Sequence, residues 1–144
     1  MRVLPIALFV VAACATTPTA PEFEGDYSRR HTVRMFNGEP DAAMIDTIDI
    51  GPTKDGRAVF TINMMFDNAH ICSIEEATAG VTPQGLVYRV NDPTEGGPFT
   101  LAINIAGDVA KLRVLEGSGL HFCGMRGNWF GEKEFRKEAP GSND

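Results

Sequence analysis

Between residues 44 and 135 the chain is built from short runs in which side-chain polarity alternates with period 2, and this pattern constrains the fold more than any other feature. Phe60, Ile62, Met64 and Phe66 share one parity, with Thr61 and Asn63 on the other. Leu86, Tyr88 and Val90 repeat the pattern, as do Phe99, Leu101, Ile103 and Ile105 against Thr100 and Asn104, and Ala110, Leu112 and Val114 against Lys111 and Arg113. Successive side chains of a strand point to opposite faces, so such runs form sheets with one face in a core and the other in water. Between them stand Lys54-Asp55-Gly56, Thr82-Pro83-Gln84-Gly85, a Pro- and Gly-rich stretch at 91–98, and Gly107-Asp108, all turn chemistry. Residues 44–50, 70–77, 120–123 and 129–135 complete a set of about eight strands at the spacing of an all-β barrel or sandwich. No segment carries a helical stripe, and Glu75-Glu76 reads as a strand end or turn. A closed antiparallel barrel is the expected architecture because closure removes exposed edges; a β-sandwich is the alternative.

The first fourteen residues concern location. Arg2 precedes an apolar run over residues 3–13, and Val11-Ala12-Ala13-Cys14 has the form of a bacterial lipobox. As a helix that run would reach roughly 16 Å, too short for a bilayer. Cleavage before Cys14 would give a lipidated N-terminus; cleavage after Ala15 would discard Cys14 and release a secreted soluble protein. The expected organisation is a signal peptide at 1–13, the lipidated cysteine and a flexible Pro/Thr tether at 14–22, a barrel domain at 23–136 and a polar tail at 137–144. The absence of aspartate after Cys14 favours the outer membrane, facing the periplasm.

Removing the signal leaves twelve basic against nineteen acidic residues, a balance of −7. That disfavours nucleic acid and anionic headgroups as partners and favours a cationic one. Beyond Cys14 only Cys72 and Cys123 remain, and an even pair in an exported chain reads as a disulfide. His70-Ile71-Cys72 and His121-Phe122-Cys123 also place His and Cys at i and i+2, so a Cys₂His₂ zinc site is the competing reading; an oxidising compartment favours the disulfide, with no metal and no cofactor.

Other candidates are weaker carriers of chemistry. His31 follows Ser28-Arg29-Arg30 and reads as a solvated strand surface, with a small anion site as the alternative. Asp46 with Asp49, and Glu75 with Glu76, lack the spacing of an acid–base pair and read as exposed charge. Gly117-Ser118-Gly119 is not a nucleophile elbow, and phosphate-cradle, dinucleotide and calcium-loop motifs are absent from the sequence, so no enzymatic activity is expected. In the stretch from Cys123 to Gly131, Arg126 and Trp129 are residue types that anchor protein partners when exposed; the structural alternative has Trp129 packed across a barrel end.

The run Asp-Asn-Ala-His-Ile-Cys-Ser-Ile at 67–74, followed by Cys123-Gly124-Met125-Arg126-Gly127, resembles small exported proteobacterial proteins of the lysozyme-inhibitor-like kind. The resemblance spans about residues 60–135 and implies a small antiparallel barrel, a lipid anchor and a basic protein such as a lysozyme as partner. Such proteins often carry further cysteines near the Cys-Gly motif; residues 120–123 hold one, so a single bridge carries over. Their serine- and glycine-containing inhibitory loop has Ser118 as its counterpart candidate. The expected function is therefore an envelope-anchored, non-enzymatic binding lipoprotein, in its sharpest form a lysozyme inhibitor. The alternatives are a lipocalin-like carrier of a small apolar ligand, or a small envelope hydrolase or metal-binding protein.

Overall fold

Side chains of one parity along each strand converge on a common axis, and the strands close around it. The computed structural model describes residues 22–35, 39–66, 70–123, 129 and 131–139. Its strands are β1 (Gly25–Val33), β2 (Ala42–Ile50), β3 (Arg57–Phe66), β4 (His70–Thr82), β5 (Gly85–Val90), β6 (Phe99–Ala106), β7 (Val109–Glu116) and β8 (Lys133–Lys137). Each pairs antiparallel with the next, and β8 returns to β1 to form a closed barrel. Among the described residues helix is confined to two 3₁₀ turns, Pro93–Glu95 and Leu120–Phe122.

The axis is filled by Tyr27, Ile48, Phe60, Ile62, Leu86, Phe99, Leu101, Ile103, Leu112 and Phe135, each no more than 2 % exposed. Burying such side chains contributes about 1.5–3 kcal/mol apiece, so the alternation seen in the sequence is also the main stabilising term. The turns match their chemistry. Gly107-Asp108 joins Ala106 to its cross-strand partner Val109, and Asp92 caps the turn that follows it by accepting from the Thr94 N–H at 2.8 Å. Gly85, which opens β5 at φ 140°, lies so close to β6 that a Cβ would collide with the Ile103 carbonyl oxygen.

Eight strands are present among the described residues, but three differ from the sequence expectation, the run expected at 129–135 being a strand only from Lys133 onward, as β8. Leu120–Phe122 form a 3₁₀ turn held to β4 by one bridge, Cys72 to Cys123, and the eighth strand is β1, which was not among the eight expected runs although His31 was read on a strand surface. Glu75-Glu76 lies inside β4 and not at its end: the β3–β4 register slips between Phe60 and Ile62, and Glu76 takes a positive φ of 46° in the bulge. Lys137 and Glu138, assigned to the tail by composition, belong to the barrel: their N–H groups donate to Asp108 and Asp26 carbonyls, both at 2.8 Å. The signal segment, Cys14 and most of the tether lie outside the described residues.

Two ladders are shorter than their strands. β4 and β5 pair only from Gly80 to Thr82 on the β4 side, and β2 and β3 stop at Thr47 opposite Asn63. The first gap is covered by the Leu120–Phe122 turn, whose Phe122 ring lies 6.2 Å from Tyr88 on β5 and 5.0 Å from Phe99 on β6. The Cys72–Cys123 disulfide fastens that turn to β4.

Candidate functional site

The second gap is filled by a carboxylate. Asp46 shares its strand face with Ile48 and Ile50 and is fully buried, the reverse of the exposed charge expected from the sequence. Its direct cross-strand partner is Arg29, which gives two hydrogen bonds to Oδ2, from Nε at 3.1 Å and from a terminal guanidinium nitrogen at 2.7 Å. Oδ1 is 3.0 Å from Nε2 of His31 and accepts the Met65 backbone N–H at 2.8 Å. That N–H belongs to the part of β3 that has lost its β2 partner, so the side chain stands in for a missing rung. His31 is therefore not a solvated surface residue: it sits on the inward parity of β1, as do Tyr27, Arg29 and Val33. On β8, Lys133 lies over the Phe66 ring at 5.9 Å, and burial followed by the Arg29 charge pushes its ammonium below the ordinary lysine range, against the pull of Asp46. Among the described residues Asp46's polar contacts run to Arg29 and His31 on β1 and to Met65 on β3, so the cluster ties three strands together.

The outer wall carries a second concentration of charge. Asp26 on β1 stands directly opposite Asp49 on β2, and Asp49 opposite Thr61 on β3, whose Oγ1 accepts the N–H of Glu76 in the β4 bulge at 3.2 Å. A groove of about 300 Å³ runs along this row, lined by Asp26, Asp49, Val59 and Glu76. Like charges placed directly opposite on adjacent strands repel. Burial raises the Asp49 carboxyl above the usual carboxylate range, and Asp26 and then Glu138 raise it further. Val59, half exposed on the same face, gives the acidic groove an apolar centre.

The residues singled out at the end of the domain separate. Trp129 is buried at 4 % exposure; its indole N–H donates to the Gly119 carbonyl at 3.1 Å and its ring packs 6.2 Å from Phe99. It braces the barrel end and is not an exposed anchor. Ser118 is exposed, its hydroxyl accepting the Leu120 N–H at 3.4 Å, and Arg126 lies outside the described residues. Cys72 and Cys123 are bonded to each other, so the two His-Cys motifs contribute a bridge and not four metal ligands; His121 is exposed beside it.

Asp26 and the pairing of Arg29 with Asp46 were not picked out in the sequence, where Arg29 was read only as part of the basic cluster before His31. The usable signal for the buried pair was the parity of Asp46 with Ile48 and Ile50, a charge in register with apolar neighbours. Comparison of the chain with protein-family models, with curated proteins and with solved structures returns no match.

Proposed function

We propose that this chain is an exported, lipid-anchored, non-enzymatic binding protein whose acidic outer groove docks a basic protein, in the sharpest version a lysozyme that it inhibits. The observation that carries the reading is the facing pair Asp26 and Asp49, with Glu138 close enough to raise the Asp49 carboxyl further. Two carboxylates held in register repel one another in the free protein, and a lysine or arginine from a partner relieves that repulsion on docking. Val59 supplies an apolar contact at the centre, and Glu76 extends the charge to the far side of the groove. The chain's net charge of −6 adds long-range attraction for a cationic protein, and the resemblance at residues 67–74 and 123–127 supports the choice of lysozyme. Docking of this kind requires no catalytic group.

The test is titration of lysozymes of differing basicity with the mature protein, following lysis of cell walls and binding by calorimetry. The expected result is near-stoichiometric inhibition that weakens as salt rises through the range where the Debye length falls from about 10 Å toward 3 Å. In a variant carrying Asp26→Asn, Asp49→Asn and Glu76→Gln, association should slow markedly with dissociation less changed. Absence of binding to any basic protein at low salt refutes the reading; binding indifferent to the three substitutions refutes this groove as its site. Mass spectrometry of the mature N-terminus checks the anchor, which requires a diacylated or triacylated Cys14.

A further inference from the structure

Away from the acidic groove, the register of five strands lines up a second row on the outer wall: Arg57 opposite Gly80, Gly80 opposite Val87, Val87 opposite Ala102, and Ala102 opposite Arg113. Arg89 stands two residues along β5 from Val87. An open groove of about 470 Å³ lies at the β3–β5 end of the row, lined by Arg57, Thr78, Gly80, Thr82, Val87 and Arg89. That volume is within the range of small-molecule sites.

Two observations set this groove apart from an ordinary solvated surface. The first concerns charge. In a chain with nineteen acidic residues, the described ion pairs use Arg29, His31, Lys111 and Arg136; Arg30, Lys54 and Lys137 also lack a carboxylate partner, but Arg57, Arg89 and Arg113 are the ones that lie on or beside a single row of the wall without one. The second concerns the floor. Gly80 is not in the left-handed region, and a Cβ built there meets nothing nearer than the Val87 carbonyl oxygen at 3.8 Å, an ordinary contact. Neither the backbone nor packing requires glycine at this position, so what its missing side chain provides is open space between two arginines.

We infer that this groove is a binding site for a soluble phosphate monoester. Adjacent strands are about 4.8 Å apart, which places the Arg57 and Arg89 Cα atoms roughly 12 Å from each other, a span two arginine side chains can close onto one group. A phosphate dianion balances two guanidiniums and has enough terminal oxygens for both forks and the Thr78 hydroxyl; a carboxylate balances only one. The Thr82 hydroxyl already donates to the Gly85 carbonyl at 3.2 Å and serves as wall. The negative charge of the whole chain opposes anion approach, so recognition is short-range and geometric. This site is independent of the acidic groove, and either can fail without the other.

The experiment is titration of the isotope-labelled mature protein with glycerol 3-phosphate, following backbone amide resonances, with acetate as the carboxylate control and phosphatidic acid vesicles as the lipid-bound source. Saturable shifts centred on Thr78, Gly80 and Arg89 are expected with glycerol 3-phosphate and not with acetate. Gly80→Leu, which fills the floor with no change in charge, and Arg57→Gln with Arg89→Gln should each weaken binding at least tenfold, while urea midpoints stay near wild type. No shifts, equal shifts with acetate, binding to vesicles alone, or binding unchanged in Gly80→Leu would each overturn the assignment.

Discussion

Replacing Asp46 by asparagine tests the reading of the barrel's polar cluster. The substitution keeps shape and removes charge. If the amide oxygen keeps the Met65 N–H and His31, its NH₂ turns toward Arg29, whose two hydrogen bonds at 3.1 and 2.7 Å are lost and replaced by donors facing donors. Hydrogen bonds to charged groups contribute about 1.5–3 kcal/mol each, but Arg29 is a quarter exposed and recovers part of its hydration by turning outward. The expected loss is therefore about 2–4 kcal/mol for Asp46→Asn, and about 3–5 kcal/mol for Asp46→Ala, which also leaves Arg29 and the Met65 N–H without their acceptor. Against a total stability of about 5–15 kcal/mol, either loss is easily measured. Urea unfolding followed by Trp129 fluorescence gives the values, provided the m-value is unchanged. A second arm, Arg29→Leu with His31→Leu and Asp46→Leu, should regain much of what Asp46→Ala loses, because it removes the charges together instead of stranding one. An Asp46→Asn protein within about 0.5 kcal/mol of wild type would mean that the carboxylate is not the strut described, and a triple variant no better than Asp46→Ala would mean that charge stranding is not the source of the loss.

Converting both Cys72 and Cys123 to alanine should cost about 4 kcal/mol in the chain-entropy treatment of a cross-link spanning 51 residues, read from urea midpoints, and hydrogen exchange should rise first in Leu120–Phe122 and the facing part of β4. Gly119→Ala should destabilise by about 1 kcal/mol or more, since Gly119 has φ 64° and its added Cβ would strike the Trp129 indole; the accompanying change in near-ultraviolet circular dichroism of Trp129 is the diagnostic. Asp49→Asn should raise the melting temperature at pH 7. The Asp49 carboxyl is raised above its unfolded value, so its ionised form costs stability above the folded pKa and that cost fades as pH falls through it; the advantage of the variant should vanish near about pH 4. An advantage that persists at low pH would contradict that sign.

Most of the fold was legible because six strands bury apolar side chains at alternate positions, and no helical period competes with them. β1 was read only as a strand surface at His31, and its core-facing side was not legible, for a physical reason. Its inward positions read Tyr27, Arg29, His31 and Val33, so two of four core-facing residues are basic and the hydrophobic alternation is broken. The same two residues face Asp46, whose burial becomes intelligible only once β1 and β2 are set in register. A long-range pairing had to be known before the charge could be recognised as internal. The opposite error occurred at Leu120–Phe122, where a short apolar run next to a cysteine imitates a strand; Gly117 and Gly119, at φ 78° and 64°, coil it into a turn. The acidic row has the same character as the buried pair, because Asp26 and Asp49 are far apart in sequence and adjacent only through the ladder.

The even number of strands, closed β8 onto β1, gives the barrel a direction. With β1 starting and β8 finishing at one rim, that rim also holds the connections at 51–56, 83–84 and 107–108, while β1, β3, β5 and β7 end at the opposite rim, which holds the connection at 91–98 and the Leu120–Phe122 turn. The chain preceding β1 and the chain following β8 thus depart side by side, from the rim that carries the two-residue turns 83–84 and 107–108. Any attachment made through the N-terminal segment is therefore nearest that rim, and the disulfide-pinned Leu120–Phe122 turn lies at the far one. Inserted sequence at 83–84 or 107–108 would project from the same rim as the two termini, whereas the same insertion at 91–98 would extend the opposite one.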